Sequence, residues 1–502
     1  MGKKVYEYGI KFNDILTEDE IEKWEGENVI LNGATGSGKT TWVLNTLNKY
    51  VNRRFKKILF LCNRTALYRD ILIQKDECGL YSMDIMLYQT LESKIKKKEL
   101  LERYDYIVCD EFHYVLTDAM FNIYTDLTYD WIVNRNNSIK IFMSGTGRAI
   151  FNKLKNDNIV KEEFEYIIPY NYSYADVKLF SEKNKVYDII NNIINNTDDK
   201  IIYFSNSMDF AIEIYSQFKE HSVFRCSEST LNEEAKKIND VDCIRTYNRK
   251  LITFNNRLLI TTKALDNGIN IVDKNVKHII CDVFDLESAQ QCLGRKRVLD
   301  KDDKCTFYIR NYGKKALGNF KGGIKKDYNP VKMFIEDIGG FNETYNKNRK
   351  FHSNFIYFDG DKRRYNKLAY WKMLVELIDI EQEEKQGYAN VFLSRLGDTF
   401  SNIENLDNIE QYNIKSELEL YLRGNLYKKY YKEDKKELID KIGLKDSRNR
   451  IQKSINTLNP YLQENFNLYI FSDEDKRRKL DDGSVNINRK KIFWELREGK
   501  IY

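Results

Sequence analysis

Short apolar runs, bounded by polar residues and separated by longer mixed stretches, fill the first third of the chain: NVILNG (28–33), KILFLCN (57–63), DIMLYQ (84–89), YDYIVCDE (104–111) and SIKIFMSGT (138–146). Strands covered on both faces read this way, and the stretches between them are long enough for crossover helices. The pattern therefore predicts βα units around a buried parallel sheet. The same rhythm returns in KIIYFSN (200–206), SVFRCS (222–227), RLLITTK (257–263), VKHIICDV (276–283) and KCTFYIR (304–310), which predicts a second α/β domain of the same plan. Past residue 330 the pattern changes to long lysine- and tyrosine-rich stretches such as RRYNKLAYWKMLVELIDIEQEEKQ (363–386), and the region is expected to be mainly helical.

The only three prolines, Pro169, Pro330 and Pro460, each fall between segments of different pattern, as expected of a residue excluded from helix and strand interiors. With the first two as boundaries, the chain divides into an N-terminal extension (1–25), a first α/β domain (26–168), a second (169–329) and a helical accessory region (330–502). A chain of 502 residues is too long for one hydrophobic core, in keeping with such a division. In the accessory region, Tyr365, Leu368, Trp371, Leu374 and Leu377 recur at helical spacing and are expected to face a core. Within a candidate winged-helix element at 427–497, residues 427–456 interleave tyrosines with lysines and arginines around Gly443. Two helices flanking that glycine, followed by the strand-like NLYIFS and KIFWEL, would make a winged-helix element that guides or splits a duplex, although a solvated helical face explains most of the same residues.

Composition narrows the class. Hydrophobic residues are 42% of the chain and charged residues 31%, with no apolar run near the roughly 20 residues a membrane span needs. The first twenty residues have no apolar core behind their basic positions, so no signal peptide is read and a cytoplasmic protein without a membrane partner is expected. The eight cysteines (Cys62, Cys78, Cys109, Cys226, Cys243, Cys281, Cys292 and Cys305) stand singly and form no CxxC pair, as reduced core thiols do. The net charge of +6 does not by itself mark a polyanion binder, so a nucleic-acid partner has to be argued from motifs.

The first such motif is Gly33-Ala34-Thr35-Gly36-Ser37-Gly38-Lys39-Thr40, a GxxxxGK[ST] phosphate loop set between an apolar strand and the helix-like TTWVLNTLNKYV that begins at Thr40 and Thr41. Glycines let backbone N–H groups curl around phosphate oxygens, and the helix N-terminus adds partial positive charge. Lys39 is then expected at the β- and γ-phosphates of ATP and Thr40 on Mg²⁺. The second motif, Asp110-Glu111-Phe112-His113, ends the apolar strand Tyr106–Cys109, where sheet carboxylates meet ligands. Asp110 is expected on Mg²⁺ and Glu111 beside the attacking water. No second Cys/His pair completes a zinc site with Cys109 and His113, so His113 is read as a coupling residue.

With these in place the chain resembles superfamily 2 helicases of the DExH/DEAD-like kind, in the general type found in phages and mobile elements. Ser144-Gly145-Thr146 is similar to their motif III. Thr261-Thr262-Lys263-Ala264-Leu265-Asp266-Asn267-Gly268-Ile269-Asn270 is similar to motif V, and Gln291-Cys292-Leu293-Gly294-Arg295-Lys296-Arg297 to motif VI. The resemblance covers residues 26–312 and implies two tandem RecA-like domains with ATP between them. It implies that Asp266 and Gly268 sit at the nucleotide, that His113, Ser144 and Thr146 couple the domains, and that Gln291, Arg295 and Arg297 face the γ-phosphate, one arginine acting as the finger. The family commonly spaces these arginines three apart, whereas here they are two apart, which leaves the finger open between them. Nucleic-acid contacts are implied for Arg64 and Thr65, Gln89 and Thr90, Ser205 and Asn206, and Thr261 and Thr262. Their small polar side chains suit backbone contacts rather than base reading.

The function so implied is ATP-dependent movement along nucleic acid, with DNA favoured over RNA and replication or recombination proteins as company. A duplex translocase that never separates strands, an RNA helicase and an ATP-dependent binding switch share the same motifs. A phage terminase ATPase shares the loop, the acidic pair and the SGT sequence, but the repeated α/β domain and QCLGRKR argue against it.

Overall fold

All ten apolar runs form strands. The computed structural model describes residues 2–499 apart from 35, 64–67, 70, 74–80, 228–229, 248–250, 263–269, 301, 347–354, 360, 398, 447–449 and 481–482. The first sheet contains β1 (Lys4–Val5), β2 (Val29–Gly33), β3 (Ile58–Cys62), β4 (Met83–Leu87), β5 (Tyr106–Cys109), β6 (Ile139–Ser144) and β7 (Glu165–Ile168), in the order β1-β7-β2-β6-β5-β3-β4. Every neighbouring pair in it is parallel. The second contains β8 (Ala175–Phe180), β9 (Lys200–Ser205), β10 (Ser222–Arg225), β13 (Leu258–Thr262), β14 (Val276–Cys281), β15 (Cys305–Arg310) and β18 (Asn402–Asn405), in the order β10-β13-β9-β14-β15-β8-β18. A hairpin, β11 (Ile244–Tyr247) and β12 (Leu251–Phe254), precedes β13, and a second, β16 (Ile356–Asp359) and β17 (Lys362–Tyr365), follows the second sheet's β15 in sequence. Two sheets of this kind, with helices between their strands, are tandem RecA-like domains.

One helix contributes to the cores of both sheets. The helix Lys367–Gln386 places Leu368, Ala369 and Met373 in the core of the first sheet and Ile380 in that of the second, where Tyr388, Val391 and Phe392 of the next helix join it. The stripe expected to face a core does so: Leu368 and Leu377 are buried, and the Trp371 indole N–H donates to the Ala149 carbonyl at 2.9 Å.

The proline boundaries are corrected in part. Pro169 does lie between β7 and β8, but Pro330 is inside the helix Lys314–Glu336 and Pro460 inside the helix Ile455–Phe466. An internal proline removes one backbone hydrogen bond and crowds the preceding turn, a cost of about 3 kcal/mol. Packing offsets it at Pro330, whose neighbours Tyr328 and Val331 are buried in the core of the first sheet.

The chain divides into two compact units, Met1–Glu404 and Asn405–Tyr502. The second runs helix Leu406–Gly424, β19 (Lys429–Tyr430), helix Lys432–Ile442, helix Ile455–Phe466, β20 (Leu468–Glu474) and β21 (Ile492–Glu498), with the strands antiparallel in the order β19-β21-β20. It has its own apolar core of Leu422, Tyr430, Leu438, Leu458, Leu462, Leu468 and Leu496, among others. Among the described residues no helix is long and apolar enough to cross a membrane.

Candidate active site

β2 ends at Gly33, and the chain turns at once into the glycine-rich loop. A Cβ on Gly33 would lie 2.7 Å from the Phe12 ring and 2.8 Å from Ser37 Oγ, so only glycine fits there. Gly36 and Gly38 both have φ of +87°, a conformation that side chains resist. Gly38 is the N-cap of the helix Lys39–Trp42 and offers no side chain to its first N–H groups, which leaves that terminus open to an anion. Residues before 26, read in the sequence as an extension, support this loop: the Phe12 N–H donates to the Ser37 carbonyl at 3.0 Å and Lys11 Nζ to the Gly36 carbonyl at 2.8 Å. No periodicity or motif in the sequence signals that role.

Lys39 is buried, with Nζ donating to the carbonyls of Gly33 and Ala34. Burial pulls its pKa down, while the carboxylates of Glu111 and Asp110 oppose that fall and Arg297 adds to it. Ser37 Oγ is buried with no hydrogen-bond partner among the described residues. A desolvated ammonium, an unmatched hydroxyl and an uncapped helix N-terminus in one curl of backbone fit a polyphosphate. Thr40 lies in the first helical turn and Thr41 beside it is exposed; Thr35 lies outside the described residues.

The acidic pair follows β5 as expected. Asp110 is buried, its N–H donates to the Leu61 carbonyl at 2.9 Å, and its carbonyl accepts from Tyr88 Oη at 2.9 Å. Glu111 has φ of +46°, uncommon for a residue with a side chain. Such strain is held only where the surroundings enforce it, and it clusters at functional positions. Here the flanking N–H groups of Asp110 and Phe112 are fixed to β3 and β6 through the Leu61 and Met143 carbonyls.

From Glu111 a chain of polar contacts runs between the sheets. His113 Nδ1 lies 3.3 Å from Glu111 Oε2 and 2.9 Å from Ser144 Oγ, which also accepts from the Thr146 N–H at 3.1 Å. On the other side of the imidazole, Gln291 Nε2 lies 2.9 Å from His113 Nε2 and donates to Thr146 Oγ1. Because the amide nitrogen can only donate, this arrangement assigns His113 Nε2 as acceptor and puts the ring proton on Nδ1. Gln291, expected at a phosphate, joins the second sheet's helix Leu286–Leu293 to two of the three expected coupling residues of the first, His113 and Thr146. Glu287 on the same helix accepts from the Ala149 N–H at 3.0 Å.

The two arginines are distinguished by their surroundings. Arg297 Nη1 lies 3.8 Å from where a Gly36 Cβ would stand, and its Nη2 donates to Asn270 Oδ1 at 2.8 Å, so the end of the motif V stretch aims it at the loop. Burial and the neighbouring Arg295 both lower the pKa of Arg297. Arg295 is buried beside it, with Nε unpartnered among the described residues. Asp266 and Gly268 lie outside the described residues.

The expected nucleic-acid contacts divide. Gln89 and Thr90 are exposed at the start of the helix Tyr88–Lys96, and Asn206 is exposed with Oδ1 accepting from the Phe284 N–H at 3.2 Å. Ser205 and Thr261 are corrected: they are 1% and 0% exposed, and their hydroxyls donate to the Ser207 and Thr262 carbonyls, so strand burial withdraws them from any polymer. Thr262 is half-buried, and Arg64 and Thr65 lie outside the described residues.

Residues 13–78 match the family model described as Type III restriction enzyme, res subunit. No curated protein matches the sequence. Among solved structures, S. cerevisiae Dbp5 bound to RNA and ADP BeF3 is similar at 16% identity and a TM-score of 0.42, over 60% of this chain and 83% of that one. The ATP-dependent Type ISP restriction-modification enzyme LlaBIII bound to DNA is similar at 13% identity and a TM-score of 0.41, over 59% of this chain and 27% of that one. At such TM-scores the fold assignment rests on strand order alone. The family match spans the phosphate loop, and the acidic pair and the Gln–Arg segment follow it in the order the resemblance to superfamily 2 helicases requires.

Proposed function

We propose that the chain hydrolyses ATP between its two RecA-like domains and uses the cycle to move along nucleic acid, DNA in preference to RNA, separating strands as it goes. The observation that carries this is the continuous polar path Glu111–His113–Ser144/Thr146–Gln291, which ties the acid beside the loop to a helix of the opposite domain.

ATP with Mg²⁺ supplies, when bound, the phosphoanhydride and the charge that holds it; Lys39, Thr40 and Asp110 are the residues to hold them. Glu111 accepts the proton of the attacking water. Its position depends on His113, whose Nδ1–H is shared between Ser144 and the carboxylate. Arg297, aimed at the loop from the second domain, meets negative charge that develops on the transferred group, and its planar fork suits phosphate oxygens. Turnover is then fast only when both domains are in register, and loss of that register on product release is what moves a bound strand. Gln89, Thr90 and Asn206 are the exposed residues placed to touch that strand.

The test is steady-state ATP turnover with no polymer, single-stranded DNA, duplex DNA and RNA at one fixed salt concentration. Single-stranded DNA is expected to stimulate most, and Glu111→Gln to bind ATP yet turn it over slowly. Stimulation by duplex alone would make the protein a translocase, and by RNA alone an RNA helicase. Wild-type turnover in Glu111→Gln would overturn the site.

A further inference from the structure

The C-terminal unit repeats none of the chemistry described so far, yet it is built to a definite plan. Its helix–strand–helix–helix–strand–strand order and antiparallel sheet are a winged-helix arrangement in which the described residues 475–480 and 483–491 belong to the wing between β20 and β21. Buried Asn459 ties the third helix to the sheet, its Nδ2 donating to the Ile470 carbonyl at 3.1 Å and its Oδ1 accepting from the Ile470 N–H at 2.7 Å. The wing is equally well anchored. The Asp475 N–H donates to the Lys491 carbonyl at 3.0 Å, the Asn486 N–H to the Arg478 carbonyl at 3.1 Å, and the Leu480 N–H to the Ser484 carbonyl at 2.9 Å.

Fold alone does not assign a function, and the side chains on the wing have to do so. Seven of the seventeen residues 475–491 are lysine or arginine, against three acids. Of those acids Asp475 is buried and taken up by Tyr431 Oη at 2.6 Å, Arg477 at 3.2 Å and Lys429 at 3.4 Å, and the other two lie outside the described residues. Lys476, Arg478, Lys479, Arg489 and Lys490 are exposed. Among them stand exposed aliphatic side chains, Val485 at 74% and Ile487 at 81%, and Ile492 at the start of β21 is 61% exposed. An exposed aliphatic row set in cations has two halves to satisfy. A nucleic-acid end offers both, phosphates for the cations and the face of a terminal base pair for the apolar groups, as apolar wedges use elsewhere.

We propose that the wing binds the end of a nucleic-acid duplex, with Lys479 and Arg489 on backbone phosphates and Val485 and Ile487 against the outermost base pair. This names the element that opens strands in the reading above, but binding itself requires neither ATP nor that reading. The experiment therefore uses the full chain without nucleotide, on a short tailed duplex made once in DNA and once in RNA, with 2-aminopurine in the terminal pair. Wild type is expected to bind, to raise 2-aminopurine fluorescence by unstacking, and to weaken steeply from about 50 to 200 mM salt. Lys479→Ala with Arg489→Ala should flatten the log–log salt slope by about 1.8 and weaken binding more than tenfold. Val485→Ser with Ile487→Ser, both at exposed positions, should leave the slope unchanged and abolish the fluorescence rise, with single-strand-stimulated ATP turnover intact. The DNA and RNA arms decide which duplex is used. Failure of wild type to bind either duplex, a charge variant that binds like wild type, or an apolar variant that still unstacks the end would each overturn the proposal. The first of these would leave the surface to an acidic protein partner. A failed motor reading would show separately, as absent polymer-stimulated turnover with this binding preserved.

Discussion

The two RecA-like domains place the same strand and helix at their centres and finish them in opposite ways. β2 and β9 are each an interior strand of a seven-stranded sheet that leads into a helix. After β2 the chain coils through glycines, and the next helix begins at Gly38 with no side-chain cap. After β9 the next helix, Met208–Gln217, begins at Ser207, whose hydroxyl accepts from the Phe210 N–H at 3.4 Å, while Ser205 Oγ donates to the Ser207 carbonyl at 2.9 Å. One terminus is held open for an anion, and the other is filled by the chain itself. The acids at the end of a nearby strand, β5 in the first sheet and β14 in the second, differ in the same sense. Asp110 and Glu111 act on the buried Lys39 charge across the loop. Asp282, after β14, is neutralised in place by Arg310 at 2.8 Å and Tyr312 Oη at 2.9 Å. The fold is thus repeated while the arrangement at the strand ends is not: in the function proposed above, what fills a helix N-terminus, and what faces a strand-end acid, decides which copy takes up a phosphate.

The sharpest way to break this contrast is at the residue by which the closed copy reaches the open one. Arg297→Ala is expected to lower ATP turnover by about 10³–10⁵-fold with ATP binding largely kept, because an arginine finger acts on the transition state. Arg295→Ala, which removes a buried side chain with no contact to the loop like that of Arg297 to Gly36, should cost far less in turnover. Rapid-quench measurement of both variants decides between them, and a larger loss for Arg295 would reverse the assignment made from the Gly36 and Asn270 contacts.

A second test exchanges function for stability. Asp282→Ala strands the Arg310 guanidinium in a half-buried position, and breaking such a pair costs about 3 kcal/mol. Denaturant unfolding should show that loss, with ATP affinity unchanged once the protein is folded. Asp110→Asn should do the converse, abolishing turnover with a smaller change in stability. If Asp282→Ala altered ATP affinity as Asp110→Asn does, the two strand ends would not be functionally distinct.

Much of this contrast was legible in the sequence, and where it was not the reasons are physical. Most of the ten strands announced themselves because strands covered on both faces must be uniformly apolar, while β4 and β10, at sheet edges, are partly buried. The loop and the acidic pair were legible because phosphate chemistry constrains residue type at fixed spacing. By contrast β1 is only two residues long, and β8 (ADVKLF) alternates as a partly covered strand does, so neither stood out from its surroundings. Lys11 and Phe12 support the loop through backbone and stem contacts that many residues could make. Pro330 misled because a helix can carry a proline wherever packing of its neighbours, here Tyr328 and Val331, outweighs the lost hydrogen bond. Gln291 was expected at a phosphate, but the partners it has here, His113 and Thr146, come from the other domain, 178 and 145 residues away.

The smallest effect lies at the cap that closes the second copy. Ser207→Ala removes the one side-chain acceptor at the start of Met208–Gln217, which should cost about 1 kcal/mol of stability and nothing in ATP turnover. Ser207→Gly is the more telling variant. It recreates in the second domain the uncapped terminus of the first and should lose only a few tenths of a kcal/mol. Neither variant should gain nucleotide binding, because β9 has no lysine following its turn and no ionised acid pair opposite. Equilibrium binding of a fluorescent ATP analogue to an Arg297-intact, Lys39→Ala background carrying Ser207→Gly measures this directly. Binding restored there would mean that an open helix N-terminus is enough to make a phosphate site in this fold, and that the glycine curl and Lys39 only strengthen what any uncapped helix supplies.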